Sequence, residues 1–335
     1  MKRFLKRTFL FLAFPLVIVV LLVGSYLYFD PFKVVFHYSD YSGSIVGLNR
    51  ERVSTQTYLR NKDRYGYNAF IFGSSRTKAY RAASWKKHLP SDAKPFLFDA
   101  SCETTYGIYR KVRYLDSIQA PLKYALVILC RNASFGPARD FDQFIHKKDP
   151  VISGGSNWDY QLTFFKAYAN FRFITAFYSA QLNGYQSWMG SILMPRPTTY
   201  DTITNDQYSL AQEKELRDNP DAYYKKHEAI FYKRNGETTS PEVQIEGQNA
   251  FMLREIARIF EKNHTEYKVV LSPLYEQVKF NPKDIEFLQS VFGNRLYDFS
   301  GANYFTADIR HYYENSHYRP MVGDSIMNII YSTNP

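Results

Sequence analysis

Five short apolar runs punctuate the chain, at Tyr67–Gly73, Lys94–Ala100, Tyr124–Cys130, Tyr267–Ser272 and Arg295–Phe299. Runs of this length that end in glycine or small polar residues predict strands. Tyr124–Cys130 is apolar throughout, as expected of a strand covered on both faces. Helix-period patterns lie between the runs. They cover Thr105–Ile118, Ile245 through Met252, Ile256 and Ile259, Lys283–Val291, and Arg319–Tyr331. At Ser240-Pro241-Glu242, an N-cap serine, a proline suited to the first helical position and a dipole-complementing acid predict the start of the second helix. The alternation predicts an α/β fold: a doubly wound, mainly parallel five-stranded sheet of flavodoxin-like type.

Two stretches depart from this pattern. Residues 135–239 are aromatic, polar and irregular, and read as a large insertion with helix around Tyr160–Leu182. The run Phe9–Phe29 has no ionisable group apart from tyrosines and follows Lys2, Arg3, Lys6 and Arg7. That length suits one membrane-spanning helix, and the basic flank places the N-terminus in the cytoplasm. The expected organisation is a membrane anchor over 1–30 and one exported domain over 31–335, outside the cytoplasm. A cleaved signal peptide is the competing reading, with Val23-Gly24-Ser25 as a poor cleavage site.

Composition narrows the picture further. With 45% hydrophobic and 22% charged residues, the chain is neither disordered nor fibrous. Two cysteines and no CxxC exclude a disulfide scaffold and a zinc-ribbon site. The formal net charge is +10. Lys2, Arg3, Lys6 and Arg7 against Asp30 account for +3, leaving +7 on the remainder, with no long block of one sign. An exported protein of this kind has no expected nucleic-acid partner. The 29 Tyr and 27 Phe are the unusual feature, and Trp158, Tyr160, Tyr185 and Trp188 of the insertion are either sugar-stacking or packing residues.

In such sheets ligands bind at the carboxyl ends of the strands. Gly73-Ser74-Ser75-Arg76 ends the first strand, Ser101-Cys102-Glu103 follows the second, and Arg131-Asn132 follows the third. Glu314-Asn315-Ser316-His317 precedes the last helix. A serine past the first strand and a histidine before the last helix can meet at one sheet edge. A carboxylate three residues before a histidine can reach its ring in a tight turn and fix the tautomer. Asp308 and His311 share that spacing. Glu103 and Asp99 read as surface or capping carboxylates, and Cys102 and Cys130 as buried thiols.

These residues resemble the GDSL/SGNH hydrolase superfamily. Gly73-Ser74-Ser75 is similar to its Gly-Asp-Ser motif, with Ser for Asp. The resemblance makes Ser75 the nucleophile, in preference to Ser74. Cys130-Arg131-Asn132-Ala133 matches the third motif only at Asn132, implied as an oxyanion-hole side chain beside the Ser75 N–H. Glu314-Asn315-Ser316-His317 resembles the final Asp-x-x-His motif with Glu for Asp, and Gly323 follows at the family's distance. The second-motif glycine has no clear match, with Ser101, Cys102 and Gly107 nearest to it. The resemblance covers about 67–135 and 240–331. It is nearest to membrane-anchored SGNH-like proteins that work with polytopic membrane-bound O-acyltransferases on envelope polysaccharides. It therefore implies a Ser75–His317–Glu314 triad, an acylated carbohydrate substrate, acyl transfer or ester hydrolysis, and no metal or organic cofactor. Arg76 and Arg319 flank the triad and are either candidates for binding an anionic substrate group or exposed or ion-paired structural arginines. The competing function is a catalytically silent anchored module that binds polysaccharide or a membrane partner.

Overall fold

The computed structural model describes residues 1–332, except for the side chains of Lys2, Arg3, Leu5, Lys6, Thr8, Phe9, Leu10 and Leu12. Helix α1 (Lys2–Phe29) precedes helix α2 (Arg50–Tyr65). The central sheet follows, with β1 (Ala69–Gly73), β2 (Pro95–Leu97), β3 (Tyr124–Leu129), β4 (Glu266–Leu271) and β5 (Leu296–Asp298). All its pairings are parallel, in the order β2-β1-β3-β4-β5. This is the expected five-stranded α/β sheet with flavodoxin-like order, and its switch point lies between β1 and β3.

Side-chain alternation divides the core into two layers. Phe70 and Phe72 of β1, Val127 and Leu129 of β3, and Val269 and Leu271 of β4 face one side. They pack against α2, helix α3 (Thr105–Ser117) and helix α6 (Gly247–Lys262). Ile71, Leu126, Ile128 and Val270 face the other side, against Tyr80, Trp85 and helix α8 (Pro320–Ser332). Both faces are apolar, so these strands read as continuous hydrophobic runs.

The helix expected from Pro241 begins later, at Gly247. Ser240 does not cap it. Its backbone N–H donates to the Lys279 carbonyl, and its side chain donates to the Glu242 carbonyl. The Asp284 carboxylate, in helix α7 (Pro282–Phe292), accepts from the amides of Gln244 and Ile245. These long-range bonds hold 240–245 outside the helix, and local capping signals cannot anticipate them.

Within 135–239, helices α4 (Asn157–Tyr168) and α5 (Phe171–Asn183) form a hairpin. Tyr160, Phe164, Tyr168, Phe173 and Phe177 pack around Tyr26 at the end of α1 and Phe32 just beyond it. Further on, the Leu97 amide donates to Thr204 O and Asn205 Nδ2 to Leu97 O, so the insertion also covers the β2 edge. Among the described residues no helix is long and apolar enough to cross a membrane. The anchor expected over 9–29 includes Phe9, Leu10 and Leu12, whose side chains lie outside the described residues.

Candidate functional site

Strand β1 ends at Gly73 with φ +149°, and an added Cβ there would meet the Ile128 carbonyl at 2.6 Å. Only glycine fits this close approach to β3. The chain then turns into a 3₁₀ turn, Ser75–Ala79. The first amide of such a turn has no partner within it, and the Ser75 N–H has no acceptor among the described residues. Ser74 is buried, with Oγ 3.5 Å from the Cys130 thiol. Ser75 is half-buried and faces the histidine.

That histidine sits on a short antiparallel hairpin, β6 (Tyr312–Glu314) and β7 (His317–Tyr318), in which Glu314 pairs across from His317. The two-residue turn Asn315-Ser316 brings the carboxylate onto the ring. His317 Nδ1 and Glu314 Oε1 are hydrogen-bonded. Glu314 Oε2 also accepts from the Ser316 amide at 2.6 Å and the His317 amide at 3.2 Å. On the other side of the ring, Ser75 Oγ lies 2.8 Å from Nε2. Ser75, His317 and Glu314 are thus joined in one hydrogen-bonded line. With Nδ1–H donating to the Glu314 carboxylate, Nε2 is left to accept the Ser75 hydroxyl proton.

The surroundings tune these groups. Burial pushes the His317 pKa down, the Glu314 hydrogen bond pulls it up, and nearby Lys78 and Arg76 push it down again. The net direction is down, which keeps the imidazole neutral. Burial raises the Glu314 pKa, but the His317 bond, the Ser316 amide and Lys78 outweigh it and hold the carboxyl below its usual range. Lys78 is lowered to about 8, chiefly by burial. Its ammonium stands over the Tyr313 ring, 5.6 Å from the centroid.

The remaining expected site residues lie in different surroundings. Asn132 stands past β3, beside β1 in the sheet, exposed and without a hydrogen-bond partner among the described residues. Arg76 does not open onto an anion site: it is buried, and its Nε donates to the Ser316 carbonyl at 2.8 Å. Arg319 likewise has internal partners, Glu213 at 3.3 Å and the Arg310 carbonyl at 3.2 Å. His311 Nδ1 is 3.0 Å from the Phe305 carbonyl, and Asp308 accepts from the Arg310 amide, so that pair caps a turn. Asp99 is buried against Arg50 at 2.8 Å and Thr77 at 3.1 Å. Glu103, expected as a surface or capping carboxylate, is fully buried with Glu51, Lys111 and Lys148. This four-charge cluster fixes the loop after β2, where Cys102 has φ +50°. Cys102, expected to be buried, is exposed because it sits in the turn after β2; Cys130 is buried as expected, and both are free thiols.

Two supporting contacts lay beyond sequence reasoning. Tyr223 OH donates to the Tyr313 carbonyl, and Tyr224 OH to the Tyr312 carbonyl, both at 2.9 Å. The insertion thereby braces the His317 hairpin. Adjacent tyrosines in an irregular segment carry no signal of such a distant backbone partner. Among the described residues no group of three or more His, Cys, Asp or Glu side chains is placed to hold a metal ion. No family model matches the chain, and no curated protein matches it.

Proposed function

We propose that the chain is an exported, membrane-anchored serine acyltransferase or esterase of the SGNH type, acting on acyl groups of envelope polysaccharide. The observation that carries this reading is the 2.8 Å contact of Ser75 Oγ with His317 Nε2, with Glu314 on the far side of the ring. Ser75 attacks the acyl carbonyl carbon as His317 takes its proton. The oxyanion is stabilised by the unpaired Ser75 N–H and the Asn132 amide. His317 then protonates the departing alcohol, leaving Ser75 acylated. A sugar hydroxyl or water, deprotonated by His317, displaces serine and restores it.

Anchoring is supported by α1, where Phe14, Leu16, Val17, Ile18 and Leu21 are exposed to solvent. Exposed apolar side chains at that density need an apolar surrounding. A polytopic membrane O-acyltransferase is the proposed donor of the acyl group to this site.

The test is incubation of the detergent-purified full chain with an acetylated polysaccharide, following acetate release and acetate transfer to a second glycan. Turnover that depends on Ser75 and His317 supports the reading. Turnover unchanged in Ser75→Ala removes Ser75 from the chemistry, and no turnover in a folded sample with a range of acyl donors points to the silent binding module.

A further inference from the structure

The three tryptophans divide into two kinds. Trp85 is fully buried, with Nε1 donating to Tyr331 OH at 2.8 Å. Trp158 and Trp188 are 78% and 49% exposed. Trp158 lies on α4, and Trp188 lies in the exposed segment that follows α5.

The α4–α5 hairpin is apolar on two faces. Its inner face is the packing around Tyr26 and Phe32 described above. On its outer side, Trp158 and Leu162 of α4 and Phe171 and Leu182 of α5 are exposed, Phe171 and Leu182 at 80% and 82%. At helical spacing each stripe continues to a half-buried ring, Phe165 on α4 and Tyr178 on α5, that joins the inner packing. A surface helix of a water-soluble domain presents a polar outer face.

Both stripes run to helix α1. Phe165 packs edge-on against Tyr26 at 5.5 Å, and Tyr178 against Phe29 at 5.6 Å. Ser25 Oγ is 2.7 Å from Tyr168 OH. The exit of α1 is also fixed: the Asp30 carboxylate accepts from the amides of Val34, Val35 and Phe36. The hairpin is therefore held at the base of α1, where the exposed apolar part of that helix begins. Lys166 and Arg172 flank the turn between α4 and α5, both exposed. Exposed tryptophan and leucine bordered by cations is the chemistry of a segment in the lipid headgroup region.

We propose that the outer face of the α4–α5 hairpin, with the Trp188 segment, inserts into the headgroup region of a phospholipid bilayer and seats the domain on the membrane. The aromatic side chains enter the acyl boundary, and Lys166 and Arg172 meet lipid phosphates. This rests on the reading that α1 crosses the bilayer.

The experiment reconstitutes the full chain in vesicles of phosphatidylethanolamine and phosphatidylglycerol. Flotation reports anchoring, and tryptophan quenching by lipids brominated near the carboxyl end of the acyl chain reports the hairpin. Trp158→Phe and Trp188→Phe separate the two emitters from buried Trp85. The expected result is a chain that floats with its vesicles and loses Trp158 and Trp188 emission to bromine, while the double variant shows no quenching. Floating vesicles with unquenched Trp158 and Trp188 overturn the seating but leave the anchor, and would assign the face to a protein occupant. A chain that does not float overturns the anchor and the seating together, without touching the Ser75 chemistry.

Discussion

Arg76 Nε donates to the carbonyl of Ser316 at 2.8 Å. Arg76 follows the proposed nucleophile and Ser316 precedes the proposed base, so one bond ties the turn that carries Ser75 to the hairpin that carries His317. A misplacement of about 1 Å can cost a reaction roughly 10²-fold. We predict that Arg76→Ala lowers kcat by about 10- to 100-fold with little change in KM. Lysine lacks the planar guanidinium geometry and does not restore the rate. Steady-state kinetics with a small ester, alongside a melting curve, checks this. A loss in KM alone would return Arg76 to substrate binding.

Glu314 holds His317 through the ring and also accepts two backbone amides of the turn. Glu314→Gln keeps the shape but presents the wrong hydrogen-bonding group to Nδ1. The expected outcome is a loss in kcat of roughly 10²–10⁴-fold, with the folded state retained by circular dichroism. An unchanged kcat removes Glu314 from the triad.

The pH profile follows from the surroundings of His317. Burial lowers its pKa, Glu314 opposes that shift, and Lys78 and Arg76 add to it. A general base works in its neutral form, so the acid limb of kcat/KM falls below the free-histidine value of about 6.5. Lys78→Met removes a facing positive charge and moves that limb to higher pH. A limb above the free-histidine value in the unaltered protein contradicts the account, as does a downward move in the variant.

Two glycines hold the site backbone by close approach. A Cβ at Gly73 would meet the Ile128 carbonyl at 2.6 Å, and one at Gly323 would meet the Ala79 carbonyl at 2.2 Å. Gly323 lets α8 press against the Ser75–Ala79 turn. Alanine at either position is expected to destabilise the fold by roughly 2 kcal/mol or more, through strain or displaced backbone. Urea unfolding followed by fluorescence reads this directly.

The buried cluster makes a separate prediction. Lys148→Met leaves Glu51 and Glu103 sharing one cation, Lys111. Breaking a buried pair by removing one partner costs about 3–5 kcal/mol. Denaturant titration of the variant should show a loss of that order.

Much of the scaffold was legible because parallel strands covered on both faces leave unbroken apolar runs. Tyr124–Cys130 and Tyr267–Ser272 are examples, found as β3 and β4 within a residue or two. The last helix was legible from its apolar period and begins one residue later than expected. The Glu314–His317 spacing also carries its geometry locally, because a two-residue turn makes them cross-strand partners. Contacts formed over long sequence distances were not legible. Ser240 looked like a cap until the Lys279 carbonyl claimed its amide. Whether Arg319 binds substrate or forms a structural ion pair was not legible, because its partner Glu213 comes from the insertion. Glu103 read as a surface or capping carboxylate because one of its two lysine partners, Lys148, lies 45 residues away in the chain. The aromatic excess divides between packing and exposure, with Tyr160 buried beside Phe164 at 4.8 Å between ring centroids and Trp158 facing outward.

The central claim is that Ser75 is an activated nucleophile. Its most direct test treats the detergent-solubilised full chain with a fluorophosphonate probe and maps the adduct by peptide mass spectrometry. The account predicts one adduct, on Ser75, absent in Ser75→Ala and strongly reduced in His317→Ala. A folded protein that takes no label, or takes it on another serine, contradicts it.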